Sequence, residues 1–310
     1  MKPLTTDEIR AVIAKGKLRD NLFKATGVFC LALALLVIVA LIADMVIKGA
    51  DRFTLDFFLN FASRRASQAG ILSAWVGSLL VMTVTALAAV PLGVAAGLYL
   101  EEYAKRNWVT NLIEINISNL AAVPSIVYGL LSLGIFVYQF GLGQSILSAG
   151  LTLALLILPI IIVSTREAIR SIPAMIREGS MAVGATRWQT CRYHIIPYAM
   201  PGILTGVIIG LARAIGETAP IITIGALTFI AFLPPLPFSE IEAGATAGLF
   251  DWVMSPFTVM PIQIFNWTSR PDPAFEVNAA AAGFVLMAMV LSMNAVAIYL
   301  RYKLRKNIKW

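Results

Sequence analysis

Two charged residues sit inside an otherwise apolar run. Arg213 and Glu217 are four positions apart in the stretch GILTGVIIGLARAIGETAP, residues 202–220. One helical turn separates them, so they meet on a single face. Arginine carries a permanent, planar cation that can donate two hydrogen bonds to an oxyanion. The glutamate neutralises that cation when no anion is present and can accept a bond from a protonated oxyanion hydroxyl. Two readings fit the spacing: a structural ion pair locking a helix interface, and a pair that meets an anionic solute in transit. Ser125 and Tyr128, in AVPSIVYGLL, supply hydroxyls that either donate to such an anion or pack.

Other chemistries are excluded. His194 is the single histidine, so neither a multi-histidine metal site nor a Ser-His-Asp triad can be assembled within this chain. No catalytic residue and no metal ligand is assigned. No G-x-x-x-x-G-K-[ST] loop occurs, so there is none of the usual cradle for ATP phosphates. The cysteines, Cys30 and Cys191, fall in different kinds of segment, and no disulfide is expected.

The elements that must hold Arg213 and Glu217 follow from composition. Of 310 residues, 59% are hydrophobic and 13% charged, too few charges to cover a water-exposed surface. The expectation is an all-α membrane protein with six transmembrane helices. A polar tail, 1–24, precedes an anchor at 25–47, long enough to cross about 30 Å of hydrocarbon. The core, 71–300, holds spans at Ile71–Leu100, with Pro91 and a Gly93-x-x-x-Gly97 pair, Ile117–Phe140, Ser145–Thr165, Gly202–Ile230 and Val277–Leu300. A short tail, 301–310, ends the chain. Of 24 Lys and Arg, 18 fall in the segments that are cytoplasmic if the N-terminus is, and five in the opposite ones, which predicts both termini inside. Arg64 and Arg65 run against this bias. The net charge of +7 thereby belongs to membrane orientation rather than to nucleic acid. Residues 231–276, rich in proline, read as an extracytoplasmic flap or interfacial segment with Trp252 and Trp267 near the headgroups.

Glycines 202, 206 and 210 recur every four residues, and Arg213 and Glu217 continue their line within about 80° of one helix face. Glycine at every fourth position lets another helix approach closely, so this face should point into protein. Arg213 would lie roughly 16 Å into the span, near the midplane. Pro220 removes a backbone bond to Gly216 and predicts a kink just beyond the pair. Glu101-Glu102, beside Lys105 and Arg106, reads as a solvated interfacial cluster.

The longest inside loop, 166–200, suits a hairpin. Glu178–Val183 favours a short helix, Gly184 permits a sharp turn, and Thr186-x-x-Gln189 has the form of a capping box. Pro197 is expected to stop the second helix before the next span. By spacing alone, an arginine-rich orientation signal and a surface dock fit equally. The segment resembles the EAA loop of ABC-importer permeases, Glu-Ala-Ala, three residues, Gly, nine residues, Ile-x-Leu-Pro. Glu178, Gly184 and Pro197 hold their places, while Gly179-Ser180, His194 and Ile196 depart from it. The resemblance implies a type I ABC importer permease fold and a coupling helix that docks on a separate ATPase. Glu178, Ala182 and Gly184 with the intervening helix would make the contact, and Pro197 would close the motif.

ARAIGETAP, AVPSIVYGLL, PLGVAAGLYLEEYA and QIFNWTSRP are similar to the phosphate-specific permease family of the PstA type. That resemblance implies a phosphate import complex in the bacterial inner membrane. Its partners would be a second, PstC-like permease, a dimer of PstB-like ATPase subunits binding ATP and magnesium, and an external PstS-like phosphate-binding protein. No cofactor is expected in this chain itself. Other readings stay open: a permease for molybdate or sulfate, the partner permease of the phosphate system, or an ion-coupled carrier in which Arg213–Glu217 titrates.

Overall fold

The computed structural model describes residues 6–306 apart from 236, 239, 242–244 and 247. Parts of both expected tails (1–5 and 307–310) and of the 231–276 loop lie outside the described residues. Apart from a two-residue antiparallel ladder, β1 (Glu240–Ile241) with β2 (Ala245–Thr246), the described chain is built from helices and their connections.

The first helix, α1 (Thr6–Gly49), runs unbroken through both the expected tail and the anchor. At 1.5 Å per residue it is about 66 Å long, roughly twice a hydrocarbon core, so it projects beyond the membrane. After short α2 (Leu55–Leu59) come α3 (Leu72–Leu98), α4 (Trp108–Leu120), α5 (Ser125–Ser132) and α6 (Ile146–Arg170). The hairpin α7 (Ala174–Ala182) and α8 (Arg187–Thr190) leads to α9 (Ile196–Ile215) and α10 (Ala219–Ile224). Last are α11 (Met260–Thr268) and α12 (Ala274–Lys306).

Among the described residues, five helical segments are long and apolar enough to cross a membrane, and six if the bent pair α4–α5 counts as one span. The expected third span, Ile117–Phe140, is therefore not a straight helix. Its chain breaks at 121–124 and turns through 106°. Pro124 has no N–H to continue α4, and the residue before a proline avoids helical angles.

The core centres on α6, which is held between α3 and α9. Both neighbours approach through glycine. Gly93 and Gly97 of α3 lie against Ile161 and Thr165, while Gly202, Gly206 and Gly210 of α9 lie against Ala168, Ser164 and Ile157. Gly150 of α6 returns the contact against Val84. The glycine stripe thus packs into protein as its spacing predicts. Thr85 and Thr152 are fully buried here and satisfy their hydroxyls on backbone carbonyls one turn back. By contrast α1 packs, among the described residues, chiefly on α12, with Gly49 on Ala281 and Met45 on Gly283.

The 231–276 segment differs from a flap. Its α11 is tucked between α3 and α12, and Trp267 is fully buried between Phe57 and Phe275, with ring centroids 6.0 and 6.4 Å away. Trp267 is therefore not a headgroup residue. The segment's backbone is tied to α3 at two points: Ser73 donates to the Ile230 carbonyl, and Ser78 accepts from the amide of Met260 in the first turn of α11. Such ties are required where water is scarce.

Because any side chain at Gly206 strikes Ser164, Gly206→Val should force α9 off α6. Overpacking of this kind costs about 1–3 kcal/mol. The expected outcome is a lowered thermal midpoint of the detergent-solubilised protein, checked by a melting curve against Gly179→Val, whose added carbon meets nothing within 4 Å.

Candidate functional site

Two interrupted helices meet at the candidate site. One is α4–α5, broken at 121–124; the other is α9–α10, broken at 216–218. Gly216 caps α9, and Pro220 stands in the first turn of α10, where its missing N–H costs nothing. The expected fifth span, Gly202–Ile230, is corrected accordingly. It is helical from Arg187 to Ile215, and its kink is a break placed before Pro220. Gly225, at φ +98°, ends α10 in the left-handed region that glycine adopts without strain.

The two broken elements are packed together. α5 lies on α10 at Gly129, where a Cβ would collide with Thr223 and the Pro220 backbone. Tyr128, buried, donates its hydroxyl to the carbonyl of Leu120 at 2.8 Å. That bond clasps the end of α4 to the start of α5 across the break. It also commits the hydroxyl proton that the sequence offered to an anion, leaving only lone pairs. Ser125 is half-buried as the first residue of α5.

Arg213 stands in the last turn of α9 and pairs through Nε with Glu217 Oε1 at 3.2 Å. Glu217 lies beyond the helix end, yet its amide bonds to the Ala214 carbonyl, which brings it back beneath the arginine. The pair is not enclosed by this chain, contrary to the expectation from the stripe. The Arg213 side chain is 40% exposed and Glu217 17%. Past Gly210 the arginine leaves the seam with α6 for an uncovered face. Glu217, while paired with Arg213, also lines a crevice with Ser78, Met82, Leu153 and Val259.

A second surface lies on the hairpin. Gly184 adopts φ +91° and Thr186 and Gln189 form a reciprocal capping box, Thr186 N–H to Gln189 Oε1 at 2.8 Å and Gln189 N–H to Thr186 Oγ1 at 3.2 Å. A buried hydroxyl pair, Ser180 and Thr190, 3.0 Å apart, pins α7 to α8. Glu178 is exposed, as are the apolar side chains of Met175, Val183 and Trp188 on the same hairpin. Ala182 is the last residue of α7. Pro197, however, does not stop the second helix. Residues Cys191–Ile195 form a π turn, and the wide turn admits the proline ring in the first turn of α9 without a break.

The sequence reading of Glu101-Glu102 is overturned. Neither is solvated: their side chains are 11% and 12% exposed, within the π turn Tyr99–Tyr103 that ends α3. Glu101 lies 3.5 Å from Nε of Arg166 and 2.9 Å from Nε of Arg170. Arg166 also reaches Glu114 of α4 with Nη2 at 2.5 Å. The Arg166 guanidinium is thus charge-paired with both Glu101 and Glu114. Glu102 accepts from Arg177 Nε at 2.8 Å. The signal for these partners was available as arginines one turn apart at the end of α6, but only folding brings them to the end of α3.

This arrangement of a close-packed helical core, broken helices and a hairpin is that of a multi-pass membrane protein. Residues 89–309 match the family described as "Binding-protein-dependent transport system inner membrane component", and the chain belongs to it. It is 32% identical, over 90% of its length and 94% of the relative's, to a probable ABC transporter permease protein, YqgI, of Bacillus subtilis (strain 168). It is 28% identical, over 97% of its length and 94% of the relative's, to the phosphate transport system permease protein PstA of Mycobacterium leprae (strain TN). In fold it is similar to a chain of a bacterial alginate ABC transporter, with a TM-score of 0.62 at 14% identity, covering 91% of this chain and 94% of that one. The fold is that of type I ABC importer permeases.

Tyr128→Phe removes the clasp and nothing else. The expected loss is about 1 kcal/mol of stability. The KM for the transported solute should stay within about threefold, because the hydroxyl proton is spent on Leu120. A large KM increase in an uptake assay would instead put Tyr128 on the solute.

Proposed function

We propose that this chain is the PstA-type subunit of an ATP-driven phosphate importer, forming half of the solute path. The observation that carries the reading is Arg213, held by Glu217 at the end of an interrupted helix and turned to a face its own chain leaves open. In membranes, residues at helix breaks surround solute sites because unwound backbone is tolerated only beside protein or a polar path. A second, PstC-like permease covering that face would place Arg213 between the subunits. The guanidinium would then exchange Glu217 for a phosphate oxyanion, which offers the same paired acceptor geometry. Glu217 would hold the cation between passages and accept from the hydroxyl of a protonated phosphate. Ser125 would line the approach, while Tyr128, whose proton is held by Leu120, would fix α5 against α4. Relatives named as phosphate transport permeases support phosphate over molybdate or sulfate.

Energy enters elsewhere. The hairpin 166–200, with Glu178, Ala182 and Gly184 around an exposed apolar tip, would dock on a PstB-like ATPase dimer that binds ATP and magnesium. A PstS-like binding protein would deliver phosphate from outside. Both termini would be cytoplasmic, as the Lys/Arg bias requires. An ion-coupled carrier has no use for such a dock, and neither that reading nor the partner-permease reading is favoured by an observation at Arg213.

Membrane vesicles carrying the complete complex test the reading. Phosphate uptake should stop on removing ATP and persist on collapsing the proton gradient; the reverse result rejects it. Arg213→Gln should abolish uptake while the complex still co-purifies, and normal uptake by that variant would remove Arg213 from the path.

The hairpin is tested separately with Gly184→Val. The added carbon meets no neighbour, so the cost is backbone strain of roughly 1–2 kcal/mol at φ +91°. The expected outcome is loss of the ATPase subunit on purification, with the permease helices intact by circular dichroism. Retained, substrate-stimulated ATPase would count against the dock.

A further inference from the structure

The π turn Tyr99–Tyr103 holds two adjacent carboxylates that face two different elements. Glu102 is taken by Arg177 of the hairpin helix α7. The same arginine donates to the carbonyls of Ile172 and Ile169, at 3.1 and 2.9 Å, at and just beyond the end of α6. Glu101 is taken by Arg166 and Arg170 of α6, and both arginines reach on to Glu114 of α4. α4 buries no residue of its own; Glu114, midway along it, meets these arginines, and the Tyr128–Leu120 clasp holds its C-terminal end. A polar cavity of about 330 Å3 opens between the hairpin and the end of α3, lined by Glu102, Lys105, Arg177 and Arg187 among others. Across it, Arg177–Glu102 is the ion pair that bridges hairpin and α3 among the described residues.

We propose that Glu101 and Glu102 form a transmission joint, with Arg177 its input and Arg166–Glu114 its output. Displacing α7 pulls Glu102 and with it the π turn. Glu101 passes the movement to Arg166 and Arg170, and Glu114 passes it to α4. The clasp at Leu120 then moves α5, which lies on α10 beside Glu217. A π turn suits this, because its wide, weakly bonded turn repacks more easily than α-helix. Arg177, Glu102, Arg166 and Glu114 are thus positioning residues that act on Arg213 from a distance. The joint rests on the reading of α7 as the ATPase dock, but not on phosphate being the solute.

The test uses the complete complex in vesicles, with Glu102→Gln, Arg177→Gln and the double variant. Assembly is read by co-purification, and coupling by the ratio of ATPase activity with phosphate-loaded binding protein to that without it. Each single variant should assemble and lose at least about fivefold of that ratio, the lower end of ordinary coupling energies. The double variant should be no worse than either single, because the two residues act as one grip. Any of four results overturns the joint. A single variant keeps the wild-type ratio; both singles fail to assemble; the losses multiply in the double; or the double recovers, as expected if the pair only balances charge. If the wild-type complex responds to sulfate- or molybdate-loaded binding protein instead, the phosphate reading fails and the same ratios are read with that anion.

Discussion

Helices in lipid gain little by burying apolar surface, since the acyl chains are as apolar as leucine, so they associate by close packing and by satisfying polar groups. In this chain that constraint falls on α6. Its neighbours α3 and α9 reach it through Gly93, Gly97, Gly202, Gly206 and Gly210, and it answers with Gly150. The backbones then approach closely enough for many small dispersion contacts to sum. Everything else is hung from this three-helix slab: α12 beside it, α1 on α12, and the broken elements around its edges.

The slab also decides where charge can sit. Arg166 and Arg170 of α6 can stay where they are because Glu101 at the end of α3 and Glu114 of α4 meet them. A buried guanidinium without such partners would be strongly destabilising. Arg213 is handled differently. It has one partner, beyond a helix break, on a face left open. The first group is a closed network that holds elements together, while the second is a single pair free to exchange its acceptor.

How much was legible in the sequence depended on the range of the interaction. Local rules transferred well: the glycine stripe, the capping box at Thr186 and Gln189, and the turn at Gly184 are set by contacts within a few residues. Prolines transferred poorly. Pro197 was read as a stop, yet a π turn carries the helix past it, and Pro220 was read as a kink, yet it opens a new helix after Gly216. A proline states which bond is missing, and the surroundings settle how the chain copes. The broken third span and the burial of Trp267 were missed for a related reason, since both depend on what packs alongside.

The sequence by itself determined the class of protein, because long apolar runs, positive-charge bias and the hairpin pattern are properties of consecutive residues. It also placed Arg213 and Glu217 one turn apart. Only the tertiary structure decided that Glu217 faces a crevice while Arg213 faces out, and that Glu101 and Glu102 serve Arg166, Arg170 and Arg177 rather than water. The distances concerned span tens of residues along the chain and a few ångströms in space. No spacing rule reaches that far; the packing of α3, α4 and α7 around α6 does.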